Sequence, residues 1–173
     1  RPIPTRYLEW LGNALTLDLG ESYINKGQDV WGDVIVTRFP VTAQLAIMSI
    51  VLALILALPI GIVGAYREGK WQDSATSAAV QVALSVPNFI TGIFLIYFFS
   101  VQLGWLPASN WNRFSNGVVD NFKTSILPAT ALASTQMAIF SRLIRADMIA
   151  TLKENYILSA RAKGLSDGYI LVR

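Results

Sequence analysis

One long stretch of the chain lacks charged side chains, and this stretch constrains the fold more than any other feature. No Asp, Glu, Lys or Arg occurs from Val41 to Tyr66. A helix needs roughly 20 apolar residues to cross a bilayer, whereas a long helix of a soluble protein shows a charged side that faces water. Because 53% of all residues are hydrophobic and 14% are charged, we predict an all-α membrane protein rather than a buried helical soluble domain.

Three apolar stretches predict about three transmembrane helices in a polytopic helical bundle. The third is the shortest, about Ser125 to Ser141. Arg142 follows it and sets the membrane boundary near Phe140, because a cation at the bilayer centre costs about 2.5–3.5 kcal/mol. The predicted order is an extracytoplasmic segment at 1–40, a transmembrane helix at 41–66, a cytoplasmic link at 67–73, a transmembrane helix at 74–102, an extracytoplasmic loop at 103–124, a transmembrane helix at 125–148 and a cytoplasmic segment at 149–173.

The basic residues give the predicted orientation. Arg67 and Lys70 lie in the first link, and a larger basic group follows the third span. On the opposite side, basic residues are matched in number by acidic ones. The positive-inside rule therefore places the first side in the cytoplasm. Trp105 and Trp111 then lie in the outer loop, where aromatic side chains anchor a chain at the headgroup level.

Small side chains recur every four residues in the first two spans, which favours the close approach of another helix. In the first span they are Ser49, Ala53, Ala57, Gly61 and Ala65, and in the second they are Ala75, Ala79 and Ala83. Proline interrupts both spans. We interpret Pro59 as structural, and for Pro87 both a structural kink and a gate stay open.

Uncharged polar side chains follow the other side of the second span and recur in the third. Gln and Asn are costly against lipid unless they are hydrogen-bonded. They therefore predict either bonds to a partner helix, which we weigh first, or a water-filled passage. The candidate path-lining residues are Gln81, Ser85, Asn88, Ser134 and Gln136. No ring of charges is available to select ions, which argues against an ion channel.

Several classes of chemistry are excluded by residues that the chain lacks. It has no Cys and no His, so thiolate nucleophiles, imidazole bases and most transition-metal sites are absent, and we predict no metal site and no catalytic residue. The segment from Gly64 to Lys70 resembles a phosphate-binding loop, but Trp71 stands where that loop needs a hydroxyl. The net charge of +3 comes from scattered basic residues, so no nucleic-acid partner is expected.

The segment after the third span predicts a helix, a turn and a second helix. Tyr156 to Lys163 can form two helical turns with Ile157 and Ala160 on one side. Gly164 can close this helix in the left-handed conformation, and Ser166 with Asp167 can open the next. Its small side chains suit docking in a groove of another protein. An amphipathic loop on the membrane surface is the alternative.

This segment resembles the EAA loop of permease subunits in bacterial ABC importers, in which Glu-Ala-Ala is followed by three residues and Gly. Ala160 and Gly164 match that pattern, whereas Leu158 and Ser159 replace its Glu and first Ala. This departure is similar to the dipeptide and oligopeptide importer branch. Other stretches that resemble the branch are Asp18-Leu19-Gly20 with Ser22, Arg38-Phe39-Pro40 with Thr42, Leu103-Gly104-Trp105-Leu106-Pro107 and Arg145-Ala146-Asp147-Met148.

The resemblance implies a MetI-like permease fold and a transport function in the bacterial inner membrane, with the chain as a fragment of a multi-pass subunit. The expected partners are ATPase subunits that bind ATP and Mg, a second and non-identical permease, an extracytoplasmic binding protein, a peptide substrate and membrane lipid, and this chain itself would bind no cofactor. By position, the ATPase-coupling residues would be Tyr156, Ile157, Ser159, Ala160, Arg161, Ala162, Lys163 and Gly164. The alternative is a channel-like or scaffolding membrane protein that works without an ATPase.

Overall fold

The computed structural model describes residues 2–24, 26–165 and 168, and these residues form helices joined by short links. The helices are α1 (Ile3–Leu15), a π-helical turn (Val30–Val36), α2 (Thr37–Tyr66), α3 (Trp71–Ser85), α4 (Asn88–Leu95), a second π-helical turn (Ile96–Gln102), a 3-10 turn (Phe114–Asn116), α5 (Val118–Leu152) and α6 (Asn155–Ala162). The described residues contain no strand apart from an isolated bridge between Glu21 and Asp29. This is the all-α class that the sequence predicts, and the chain divides into two compact units, residues 1–46 and 47–173.

In the first unit, α1 is followed by a reversal of the chain that leads into α2. Leu17 and Gly20 both adopt positive φ angles, 66° and 73°, and the Glu21–Asp29 bridge then closes the loop. The Asp29 carboxylate accepts a hydrogen bond from the Gly32 amide and so caps the π-helical turn that continues into α2.

In the second unit, the small side chains of α2 form a buried packing face, as predicted. Ser49, Ala53, Ala57, Gly61 and Ala65 are all buried, together with Gly64. A Cβ atom built on Gly61 would lie 2.8 Å from the Ile144 side chain and 2.9 Å from the Ser141 carbonyl oxygen. The backbones of α2 and α5 therefore meet at Gly61, where only glycine fits.

The second predicted span is broken at Pro87. The sequence predicts one helix over 74–102, whereas the axes of α3 and the helix that follows differ by 99°. Val86 is extended, with ψ 119°, because proline disfavours the helical conformation of the residue before it. Pro59, in contrast, leaves α2 uninterrupted. The pair forms either one broken span or a re-entrant element.

Within the described residues, the small ridge predicted in the second span is at most half-buried, at Ala83. Ala75 and Ala79 are exposed, while Asp73 and Val80 are the buried residues of α3. The side of α3 that packs against α5 is thus the one carrying Asp73, and side-chain size alone could not identify it.

α5 is the longest of the helices α1 to α6 and extends beyond the predicted third span at both ends. It has 35 residues and contains Pro128 without a break. The Asn121 side chain, fully buried, donates a 2.6 Å hydrogen bond to the Asn112 carbonyl and ties the preceding loop to the helix. Among the described helices, Val30–Tyr66 is long and apolar enough to span a membrane by itself, and the bent pair qualifies when counted as one span. A span within α5 stays a prediction.

Candidate functional site

The candidate coupling segment is the short helix α6, which follows α5 after a turn at Lys153 and Glu154. Ile157 is buried and Ala160 half-buried, so this side faces the rest of the chain. Tyr156 is 61% exposed. Ser159, Ala162, Lys163 and Gly164 are exposed as well. Among the side chains of α6 that the structure describes, Ile157 is the buried one, and the exposed ones include the small Ser159 and Ala162 beside the larger Tyr156.

Gly164 ends α6 in the way that the sequence predicts. Its φ angle is +79°, and the Leu165 amide donates to the Ala160 carbonyl at 3.3 Å. This bond spans five residues and is the hallmark of a Schellman C-cap. Ser166 and Asp167, predicted to open a second helix, lie outside the described residues, and so does the side chain of Arg161.

A bidentate ion pair joins the start of α3 to α5. Arg145 donates from Nε to Asp73 Oδ1 at 2.6 Å and from Nη2 to Oδ2 at 2.8 Å. The Gly69 amide adds a third donor to Oδ2, at 3.1 Å. Asp73 lies in the link predicted to be outside the spans, and the hydrogen bonds from Arg145 lower the pKa of its carboxyl from 3.8 to about 2.

The sequence makes room for this ion pair at Gly64. A Cβ atom there would lie 3.0 Å from the Thr76 hydroxyl and 3.3 Å from Cδ of Arg145. A second pair, Lys153 Nζ to Glu68 Oε1 at 3.2 Å, lies more exposed. Together the two pairs connect the link between α2 and α3, and the start of α3, to the last turns of α5 and the residue that follows it.

The candidate path-lining residues fall into two groups. Asn88 is half-buried, and its Oδ1 accepts hydrogen bonds from the hydroxyls of Ser134 and Thr135. In this first group, the polar side chains thus form hydrogen bonds between α4 and α5. Gln81, Ser85 and Gln136 are exposed in the chain, and the Ser85 hydroxyl donates at 2.8 Å to the carbonyl of Gln81 on its own helix.

Two cavities adjoin these polar residues. A cavity of about 570 Å³ lies between α4, the loop at residues 107–111 and α5, and Asn88 forms part of its wall. A smaller one, about 190 Å³, is lined by Gln81, Ser77, Arg142 and Arg145 among others. Within the part of the chain that the structure describes, no three carboxylates come together as metal ligands would.

The Asp73–Arg145 pair was not predicted from the sequence. The available signal was a lone carboxylate at the start of one predicted span and an arginine just past the end of another, because charges at such boundaries are costly unless paired.

Comparison with known proteins completes the description. Residues 57–173 match the protein family described as binding-protein-dependent transport system inner membrane component. The oligopeptide transport system permease protein AppB of Bacillus subtilis (strain 168) is 35% identical over 99% of this chain and 55% of its own length. The dipeptide transport system permease protein DppB of the same strain is 36% identical over 99% of this chain and 53% of its own. A putative peptide transport system permease protein of Brucella abortus (strain 2308) is 32% identical over 99% and 54%. The chain spans about half the length of the curated relatives that it matches.

Proposed function

The chain belongs to the family of binding-protein-dependent transport system inner membrane components, and from that membership we propose that it is part of a permease subunit of an ATP-driven importer of peptides. The printed names of its relatives, which are oligopeptide, dipeptide and putative peptide permeases, support peptides as the substrate class. In this proposal the subunit forms half of a translocation path across the bacterial inner membrane.

The coupling role of α6 is the central step of the proposal. Support comes from its exposed, mostly small side chains and from the Gly164 cap, which together give a short helix that fits a groove on another protein. Ile157 holds the opposite side of α6 to its own chain. ATPase subunits, which would bind the ATP and Mg, are the proposed occupants of the exposed side.

The ion pairs suggest how such docking could move the spans. When two ATPases close on ATP, they would pull on α6, and α6 is separated from α5 only by Lys153 and Glu154. The Lys153–Glu68 pair would carry the pull to the link between α2 and α3, and the Arg145–Asp73 pair would carry it to the start of α3. The helices would then rock as packed bodies between inward-open and outward-open states.

The path itself is proposed to be polar and uncharged. Gln81, Ser85 and Gln136 are exposed in the chain and offer hydrogen bonds to peptide backbones without selecting one side-chain charge. Asn88 and Ser134 would support the path by joining α4 to α5. A second, non-identical permease would form the other half, and an extracytoplasmic binding protein would deliver the peptide.

Cysteine crosslinking in the full-length protein tests the docking step. Ala162→Cys places a thiol on the exposed side of α6, and Ser109→Cys is the matched control beyond the other end of α5. Asn110 is less suitable as a control because its φ angle of 71° disfavours most side chains. We expect a crosslink to the ATPase subunit from Ala162→Cys alone. An assembled complex without any crosslink at Ala162→Cys would contradict docking through α6.

Transport measurements separate the proposal from its rival. Uptake should stop when the ATPase subunit carries a substitution that abolishes ATP hydrolysis. Uptake that continues with such an ATPase would favour the channel-like alternative, and it would leave the family membership unaffected.

A further inference from the structure

Helix α1 separates its apolar and polar side chains completely. At 3.6 residues per turn, all the apolar side chains fall within about 160° of the helix circumference. They are Ile3, Pro4, Tyr7, Leu8, Trp10, Leu11, Ala14 and Leu15. The remaining side carries Thr5, Arg6, Glu9, Gly12 and Asn13. Such a helix needs an apolar surface along one side and water along the other.

The described chain does not supply that apolar surface. No residue of α1 is buried. Ile3 and Leu15, at the two ends of the helix, are 81% and 79% exposed, and Leu8 is 65% exposed. Leu11 and Ala14 are half-buried, so contacts within the chain cover only a small part of the apolar side.

The aromatic residues of this face suit a lipid–water interface. The rings of Tyr7 and Trp10 lie 6.0 Å apart, and both remain more than half exposed. Tyr and Trp are enriched at the headgroup level, where the ring meets apolar chains and the polar group meets water. The polar side carries one Arg and one Glu within this helix, so the attraction would come from apolar insertion rather than from a basic patch.

A bilayer lies within reach because α1 belongs to the same compact unit as the beginning of a span. Residues 1–46 form that unit, and the span, Val30–Tyr66, has a mean hydropathy of 2.8 in its most apolar window. The reversal after α1, closed by the Glu21–Asp29 bridge, returns the chain to the first residues of this span. α1 thus belongs to the same compact unit as the start of a segment that is long and apolar enough to span a membrane.

We propose that α1 lies in the plane of the membrane, in the leaflet from which the N-terminal end of α2 emerges. Its apolar side contacts lipid acyl chains, and its polar side faces water. A helix of 13 residues covers about 20 Å of membrane surface. This anchoring would restrict how the unit of residues 1–46 moves, and it goes beyond the proposed transport role because it requires neither a peptide nor an ATPase.

Electron paramagnetic resonance of spin labels tests the proposal in the full-length protein, reconstituted in phosphatidylcholine–phosphatidylglycerol bilayers after any native cysteines are replaced. Ile3→Cys and Leu15→Cys report on the apolar side. Thr5→Cys and Asn13→Cys are the matched controls, two residues away at each end. The measurement compares collisions of each label with oxygen, which partitions into lipid, and with a water-soluble nickel chelate.

We expect oxygen to dominate at positions 3 and 15 and the nickel chelate to dominate at positions 5 and 13, with a several-fold difference in the ratio. Equal access of the nickel chelate to all four labels would overturn the proposal. Labels at 3 and 15 that are shielded from both reagents would show that protein, not lipid, covers the face. Brominated lipid gives a second readout, because it should quench a fluorescent label at positions 3 and 15 and not at positions 5 and 13; loss of the helix would remove this difference between the two pairs of sites.

Discussion

The Asp73–Arg145 pair yields the sharpest quantitative prediction, the loss of stability in Asp73→Asn. The side chain of Asp73 is 11% exposed and that of Arg145 is 32% exposed. Removing one partner of a fully buried pair costs about 3–5 kcal/mol, and an exposed pair contributes about 0.2–1 kcal/mol. This pair lies between the two limits, so we expect Asp73→Asn to lower the free energy of unfolding by about 2–3 kcal/mol.

The pKa of Asp73 gives a second figure of the same size. Lowering a pKa from 3.8 to about 2 corresponds to about 2 kcal/mol, at ~1.4 kcal/mol for each tenfold change in the acid dissociation constant. Because the pKa in the folded state lies below that of the unfolded chain, the stabilisation is complete above about pH 4 and is lost as the pH falls toward 2. The native protein should therefore be less stable at pH 2 than at pH 5 in part because Asp73 becomes protonated. In Asp73→Asn this part of the pH dependence should disappear.

Thermal unfolding of the purified full-length protein in detergent measures the effect. For a protein about twice as long as this chain, as its relatives are, a loss of 2–3 kcal/mol corresponds to a fall in Tm of about 3–5 °C. The matched control is Glu68→Gln, because its pair with Lys153 joins the same parts of the chain with side chains that are 46% and 64% exposed. We expect that control to cost under about 1 kcal/mol. The double variant Asp73→Asn/Arg145→Gln should lose less stability than the sum of the losses in the two single variants, because each single substitution already removes the same ion pair.

Two results would refute this reasoning. One is an Asp73→Asn variant no less stable than Glu68→Gln, and the other is strict additivity of the two single substitutions.

Three further predictions concern packing, polar contacts and the end of α6. Gly61→Leu should destabilise the protein by more than about 3 kcal/mol, because its side chain would overlap the Ile144 side chain; an unchanged Tm would contradict the close contact. Asn88→Leu should lower Tm and uptake together, since the Thr135 hydroxyl loses its partner across the helix interface, whereas Gln136→Leu, at an exposed site, should reduce uptake at unchanged Tm. Gly164→Val should weaken co-purification of the ATPase, because a β-branched residue is strained at φ +79°, and Gly164→Asn should retain it.

The features that could be predicted from the sequence are those that depend on a local pattern of residue types. The buried ridge of α2 was predictable because small residues at every fourth position share one side of a helix, and its burial is confirmed. The left-handed Gly164 was predictable because helices commonly end in this conformation and glycine adopts it without a steric penalty, and its φ angle is confirmed. The all-α class and the family resemblance were also predictable, because both depend on local sequence patterns. The helices of the structure confirm the first and the family match confirms the second.

Contacts between distant residues were not predictable in this way. Asp73 and Arg145 are 72 positions apart, and nothing in the sequence of either helix specifies the other. Ala75 and Ala79 satisfy the same small-residue pattern as the α2 ridge and yet are exposed, whereas Asp73 and Val80 are the buried residues of α3. Pro87 was recognised as an interruption, but the 99° between the two helix axes depends on packing against α5.

The unbroken length of α5 has a geometric consequence. Its 35 residues measure about 52 Å at 1.5 Å per residue, which exceeds the roughly 30 Å of bilayer hydrocarbon. If the central part of α5 crosses the bilayer, as the sequence predicts, both ends project beyond the hydrocarbon, one bonded to the Asn112 loop and the other leading into α6. If the helix tilts as a rigid rod about its midpoint by about 10°, each end sweeps an arc of about 4–5 Å in opposite directions. Displacement of one end of α5 on one side of the membrane would then displace the other end, on the opposite side, by a similar distance in the opposite direction. The internal hydrogen bonds of α5 would not change.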